Sequence, residues 1–220
     1  MTNQQEDYYG EEQSPIDLSD AVATDEKCED LSSIFFCSTN EMKAEIQADG
    51  ANFKVCLQDL NQENHICVTQ KTFRCAQFHF HTPSEHTING KQYDMEFHLV
   101  NQAEDGALAV FGILFEVGDE SPFLAQFWDH LQTLDLSAVK ENKAIDSIDL
   151  SSLLKLEKGF YRLRGSLTTP PYSEGVEWTI SKDIWQVSQK QLDQFRKCLK
   201  CSNARPIQPL NKRKLQYFHK

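Results

Sequence analysis

Gln77-Phe78-His79-Phe80-His81 is the stretch on which both fold and chemistry turn. In an extended strand successive side chains point to opposite faces. Gln77, His79 and His81 therefore share one face, and Phe78 and Phe80 share the other. The pattern reads as a strand with one face in an apolar core and two imidazoles on the opposite face, spaced so that both can reach one metal ion. Alone, a His-x-His pair is more often an accident of composition.

Working outward, Met95-Glu96-Phe97-His98-Leu99-Val100 alternates in the same way, with Glu96 and His98 on one face. The segment between the two stretches contains Asn89-Gly90, a strong signal for a tight turn between strands. If the strands pair, His98 lies across from the first two histidines. Three neutral imidazoles with an open fourth position make a catalytic zinc site, since a structural site would be closed by a fourth protein ligand. Glu96 beside His98 and Gln77 beside His79 can each accept the second ring N–H and fix the tautomer. The alternative for Glu96 is a charge facing solvent.

A third piece is Gly165-Ser166-Leu167-Thr168-Thr169-Pro170-Pro171. Two prolines after a strand impose an extended, rigid loop that cannot continue a ladder. Such a loop holds the Thr168 and Thr169 hydroxyls in place; in isolation it is simply a turn.

The rest of the chain supplies a frame for these pieces. Segments of strand composition recur at Glu45–Ile46, Phe53–Leu57, His65–Val68, Cys75–Phe80, Glu96–Val100, Leu108–Val117, Phe160–Leu167 and Val176–Ile180. Helices are few. Ser121-Pro122 offers an N-cap with proline at the first helical position, followed by Phe123, Phe127 and Leu131 every four residues. Ser188-x-x-Gln191 reads as a capping box, with Leu192, Phe195 and Leu199 on one face behind it. The expected fold is mainly β: one large twisted, mostly antiparallel sheet of about ten strands with short peripheral helices. No linker or repeat interrupts it, so residues 1–220 read as a single domain.

Composition excludes several classes. Among 220 residues, 22 basic against 33 acidic side chains leave a formal net charge of −11. Such a chain repels phosphate backbones, so nucleic acid is not an expected partner. The one basic cluster, Lys212-Arg213-Lys214, reads as a solvated tail. No run approaches the ~20 apolar residues of a membrane span. Met1 to Glu12 is polar and acidic, unlike a secretory signal, which leaves a cytoplasmic chain or a mature secreted domain. Seven cysteines make an odd number, so at least one stays free or pairs between chains. Cys198-x-x-Cys201 has no second CxxC to complete a four-thiolate site. It reads as two unrelated thiols near a helix end, or as a local disulfide.

Taken together, these blocks resemble the alpha-class carbonic anhydrases. Gln13-Ser14-Pro15-Ile16-Asp17, Pro83-Ser84-Glu85-His86-Thr87 and Arg205-Pro206-Ile207-Gln208-Pro209-Leu210-Asn211 add to the likeness, which runs in family order from about residue 13 to 217. The resemblance implies reversible hydration of carbon dioxide to bicarbonate and a proton by attack of zinc-bound hydroxide. It implies Zn2+ on His79, His81 and His98, with Gln77 and Glu96 as partners of His79 and His98. Thr168 matches the hydroxyl that accepts from the hydroxide, Glu85 the carboxylate that orients it, and Thr169 a neighbouring hydroxyl. Val100, Val110, Leu167, Val176 and Trp178 match the apolar pocket where carbon dioxide rests. Sulfonamides and anions are the implied inhibitors.

Two departures from the family stand out. The aromatic-rich segment that usually precedes the Gln-Ser-Pro-Ile block is shortened here to Tyr8-Tyr9-Gly10. Ala51 occupies the position where many members carry a proton-relaying histidine; His65 is a rim candidate for that task or an ordinary surface residue. His86 and His130 read as structural. The competing expectation is a catalytically weak or silent binding module of the same family, with ester hydrolysis at most a side activity.

Overall fold

The alternation at 77–81 belongs to a longer strand than the sequence suggests. In a computed structural model that describes residues 10–20, 24–27, 35–36, 42–48, 52–58, 64–68, 70–134, 136, 142–154, 158–199 and 201–219, strand β7 covers Lys71–His81. The strands before it are β1 (Asp17–Leu18), β2 (Thr24–Lys27), β3 (Phe35–Phe36), β4 (Met42–Ala48), β5 (Phe53–Leu57) and β6 (His65–Val68). After it come β8 (Thr87–Ile88), β9 (Lys91–Gln92), β10 (Met95–Gln102), β11 (Leu108–Val117) and β12 (Asn142–Ile148). The last are β13 (Phe160–Ser166), β14 (Glu174–Ser181), β15 (Trp185–Val187) and β16 (Gln216–His219).

Ten of these form one continuous path, β12-β4-β5-β7-β10-β11-β14-β13-β16-β2, and β3, β6 and β15 pair alongside to make a 13-stranded sheet. Its pairings are antiparallel except β11 with β14 and β15, and β16 with β2. The expected mostly antiparallel sheet is therefore observed. Among the described residues no helix is long and apolar enough to cross a membrane.

Strict alternation from Cys75 would have put Cys75 on the same face as His79. Instead Cys75 is buried in the core with Phe73, Phe78 and Phe80. The register explains it: Val100 faces Gln77 but Asn101 faces Cys75, so Ala76 is an extra residue that reverses the alternation.

The Asn89-Gly90 turn also plays a narrower part than expected. Both residues have positive φ, 50° and 78°, and they close the small β8–β9 hairpin rather than joining β7 directly to β10. That hairpin pairs with β1 and anchors the segment containing Glu85 and His86.

Helix α1 (Pro122–Ala125) begins as predicted, with the Ser121 hydroxyl accepting from the Leu124 N–H. The continuous helix expected through Leu131 does not form; the chain leaves it at Phe127 (φ −142°) and resumes as a 3₁₀ turn at Trp128–Thr133. Adjacent helical residues sit about 100° apart, and the break lets both Phe127 and Trp128 reach the core. Helix α2 (Gln189–Cys198) has the expected capping box at Ser188 and Gln191, and buries Leu192 and Phe195. Cys198 and Cys201 are both free thiols, so no local disulfide joins them.

Among the described residues the buried apolar side chains form two clusters. The larger fills one side of the central strands with Phe78, Phe80, Phe97, Phe111 and Phe115 beneath the two helices. The smaller, around Val110, Tyr161, Val176 and Trp178, lies on the opposite side, which also carries the histidines.

Candidate metal centre

Strand register brings the three predicted ligands together. His98 on β10 is directly opposite His79 on β7, and Glu96 is opposite His81. Ring centroids are 5.1 Å apart for His79 and His81, 5.3 Å for His79 and His98, and 4.7 Å for His81 and His98.

Each ring is turned by a hydrogen bond from its other nitrogen. His79 Nδ1–H donates to Gln77 Oε1 at 3.0 Å, and His81 Nδ1–H to the Asn203 carbonyl at 2.9 Å. His98 Nε2–H donates to Glu96 Oε1 at 2.8 Å. These acceptors have no proton to give, so the tautomers follow. What remains is His79 Nε2, His81 Nε2 and His98 Nδ1, and the three residues offer ligand atoms that all lie within 4.8 Å of one another. His81 Nε2 is buried with no hydrogen-bond partner among the described residues. An orphaned buried nitrogen at the meeting point of three imidazoles suits Zn2+.

A second cluster, His86, Glu96 and His98, is also close enough to hold an ion. Its carboxylate is already saturated. Glu96 Oε2 accepts from the backbone N–H of Glu85 and of His86, both at 2.8 Å, and Oε1 accepts from His86 Nδ1–H at 2.7 Å as well as from His98. Gly112 is opposite His98, and a Cβ there would press on Ile180 at 3.3 Å while only touching Glu96 Oε1 at 3.5 Å.

Electrostatics follow burial and these contacts. Desolvation drives His79 well below the usual imidazole range, with His81 and His98 adding to the drop. It lowers His81 too, against the pull of Glu85. For His98 burial also pushes down, but the charge and hydrogen bond of Glu96 outweigh it and hold the ring up. Burial would raise Glu96, yet His86 and His98 keep it well below the carboxylate range.

His79 and His81 line a cleft of about 570 Å³ together with Thr168, Thr169 and Asn203, and His98 is buried behind them. Glu85 is buried beside it. Its Oε1 accepts from the Arg205 N–H at 2.8 Å, and its Oε2, 3.9 Å from His98 Nδ1, has no hydrogen-bond partner among the described residues. The predicted apolar pocket is largely closed over: Val110, Val176 and Trp178 are buried in the smaller cluster, with Val100 and Leu167 at its margin. Trp178 packs edge-on against His98 at 4.9 Å and His86 at 4.8 Å.

The terminal blocks meet at the rim. Arg205 Nη1 donates to Gln13 Oε1 and to the Ser14 carbonyl, and its guanidinium stacks on Tyr172 at 3.8 Å. Ser14 and Ser166 exchange backbone-to-hydroxyl bonds.

A match to the family model described as eukaryotic-type carbonic anhydrase covers residues 2–219. The chain belongs to this family. The carbonic anhydrase of Klebsiella pneumoniae is 42% identical over 148 residues, which is 67% of this chain and 59% of that protein. An alpha-carbonic anhydrase from Thermovibrio ammonificans, solved with the inhibitor sulfanilamide, is 36% identical with a TM-score of 0.80, covering 94% of this chain and 87% of that one. Dioscorin, solved with ascorbate, is 29% identical with a TM-score of 0.85, covering 96% and 87%. The chain spans little more than half the length of the first curated relatives it matches, 59% and 54%.

Against this carbonic anhydrase frame, the sequence reading missed one acceptor at the site and left two histidines to be placed. The Asn203 carbonyl partners His81 from 122 residues away, and no local pattern marks a backbone acceptor. His86, read as structural, helps to hold the Glu96 carboxylate. His65, considered for the rim, faces Arg74 on β7, roughly 16 Å along the strand from His79, and is not part of the cleft lining. Ala51, Cys28, Cys37, Tyr8 and Tyr9 lie outside the described residues.

Proposed function

We propose that this chain catalyses the reversible hydration of carbon dioxide to bicarbonate and a proton, with Zn2+ on His79 Nε2, His81 Nε2 and His98 Nδ1. The observation that carries the reading is the hydrogen bond behind each ring, which turns three nitrogens toward one point. When bound, Zn2+ supplies a Lewis acid that makes a coordinated water ionise near neutral pH, an effect for which this family is the standard example.

The chain's own residues do the rest. Gln77, the Asn203 carbonyl and Glu96 keep the three rings in the right tautomer. Glu85 Oε2 is the acceptor toward which the Thr168 hydroxyl would donate; Thr168 can then only accept on the metal side, which orients an attacking oxygen placed there. The Arg205 N–H holds Glu85 in position. Thr169 adds a second hydroxyl at the cleft wall. Val100 and Leu167, half-buried over Val110, Val176 and Trp178, would give a linear apolar substrate a surface without competing hydrogen bonds. Residues 1–220 act as one domain in this reading.

Stopped-flow hydration of carbon dioxide tests it. Activity should disappear with a zinc chelator and return with added Zn2+; a zinc-loaded protein no faster than buffer would overturn the proposal. Sulfonamides and simple anions should inhibit. The likeness to dioscorin favours a second reading, a weak or silent binding module. Metal content together with hydration rate separates the two.

A further inference from the structure

The cleft wall beside His79 carries a charge that the hydration chemistry leaves unused. Lys54 on β5 is directly opposite His79 in an antiparallel pair. Directly opposed residues project from the same face with Cβ atoms about 5 Å apart. Lys54 therefore rises into the cleft next to a metal ligand, and both residues line it. Its ammonium has neither an ion pair nor a hydrogen bond among the described residues. Glu45, which β4 places opposite Cys56 on that same face, does not pair with it.

An unpaired ammonium is poorly placed next to three imidazoles, and worse beside a divalent cation. Its field already reaches His79, where it helps to lower the imidazole's basicity. Among the described residues no carboxylate pairs with it, so an anion in the cleft would supply the compensating charge. Gln77 strengthens the argument. Its Oε1 is taken by His79, which leaves the amide N–H₂ as a donor with no other partner among the described residues. The wall thus presents an ammonium and an amide that can only donate. In a chain of net charge −11, such a spot offsets locally a field that otherwise repels anions.

We infer that Lys54, with the Gln77 amide beside it, forms an anion subsite next to the metal centre and sets the affinity for bicarbonate and competing monovalent anions. The inference rests on the hydration reading and deepens it. Carbon dioxide is neutral and gains nothing from an ammonium on entry; bicarbonate does. The equilibrium constant fixes the ratio of kcat/KM in the two directions, so Lys54 cannot favour one direction. It acts on occupancy, as a lower KM for bicarbonate and stronger inhibition by anions.

The test uses the zinc-loaded protein and its Lys54→Gln, Lys54→Glu and Lys54→Arg variants, with metal content measured for each. Azide dissociation constants come from competition against a fluorescent sulfonamide whose own affinity is determined in every variant. At low ionic strength azide should bind about 2- to 5-fold more weakly to Lys54→Gln, as expected for one partly exposed charge. Lys54→Glu should be weaker still, and Lys54→Arg should restore binding. KM for bicarbonate should rise alongside, and the wild-type advantage should fade as salt is added. Equal azide affinity across all four zinc-loaded proteins would overturn the inference. A zinc-loaded wild type that binds azide but hydrates no carbon dioxide would instead overturn the function proposed above, leaving the azide series to stand by itself.

Discussion

The two faces of β7 and β10 obey different rules. On one, Phe78, Phe80 and Phe97 meet each other and the helical layer, with ring centroids 5.4 Å apart for Phe78–Phe97 and Phe80–Phe97, and 5.2 Å for Phe80–Trp128. On the other, every imidazole is held by one named acceptor. Apolar burial is non-directional and scales with area, whereas hydrogen bonds demand a particular atom at a particular place. The aromatic face therefore decides where the strands lie, and the polar face decides which nitrogen each ring shows. Stability and chemistry are carried by alternate residues of the same strands.

That division can be broken from either side. The largest effect is expected on the polar face: His98→Ala should lose most of its zinc and its hydration activity while remaining folded, as read by metal content and circular dichroism. Full zinc occupancy in this variant would sink the ligand assignment.

Phe80→Ala attacks the other face. Removing a fully buried ring should cost about 3–5 kcal/mol in urea unfolding. The fraction that remains native should still bind one zinc per chain. If zinc stoichiometry in that fraction falls with stability, the two faces are not separable.

Thr168→Ala sharpens the comparison within the polar face, because this hydroxyl orients rather than ligates. Zinc should stay bound while kcat/KM falls on the order of 10²-fold, by analogy with loss of one preorganised hydrogen bond. An unchanged kcat/KM would remove Thr168 from the mechanism.

The smallest effect lies on neither face. Hydrogen bonds from Tyr161 and Asn89, and then Lys182, hold Asp20 at about 2. That is below the ~3.9 of an unfolded carboxylate, so its contribution is complete above roughly pH 4 and lost as pH falls toward 2. The side chain is 43% exposed, and solvent screening limits the gain to about 1 kcal/mol. Asp20→Asn should therefore lower stability at pH 6 by that amount and by only a small part of it at pH 2, where the folded carboxylate is half protonated. Equal destabilisation at both values would mean that shape, not charge, is at work.

What could be read from the sequence follows the range of each interaction. His79, His81 and Gln77 were legible because a period of two is a local property, and His98 because a second alternating stretch could pair with the first. The bulge at Ala76 was missed: apolar Phe73 and Cys75 are out of phase with Phe78 and Phe80, but only the register against the partner strand turns that slip into an extra residue. The break at Phe127 was hidden for a similar reason: spacing of four suits a continuous helix, and the demand of two neighbouring rings for the core is tertiary. Asn203 and Lys54 escaped because their importance lies in what stands opposite them, 122 and 25 residues away in the chain.

The Asn203 carbonyl that turns His81 and the Arg205 N–H that holds Glu85 have a consequence for how the molecule matures. Both arrive more than a hundred residues after the side chains they position, and contacts of such separation close late and slowly. A growing chain ending before residue 203 would already carry all three histidines, yet His81 Nδ1 would lack its shorter acceptor and keep only Glu85 Oε1, 3.3 Å away and not yet held by Arg205. Metal capture with the final geometry thus awaits docking of the segment after α2. Zinc uptake during refolding should accordingly follow the slowest structural phase rather than formation of the β7–β10 pair.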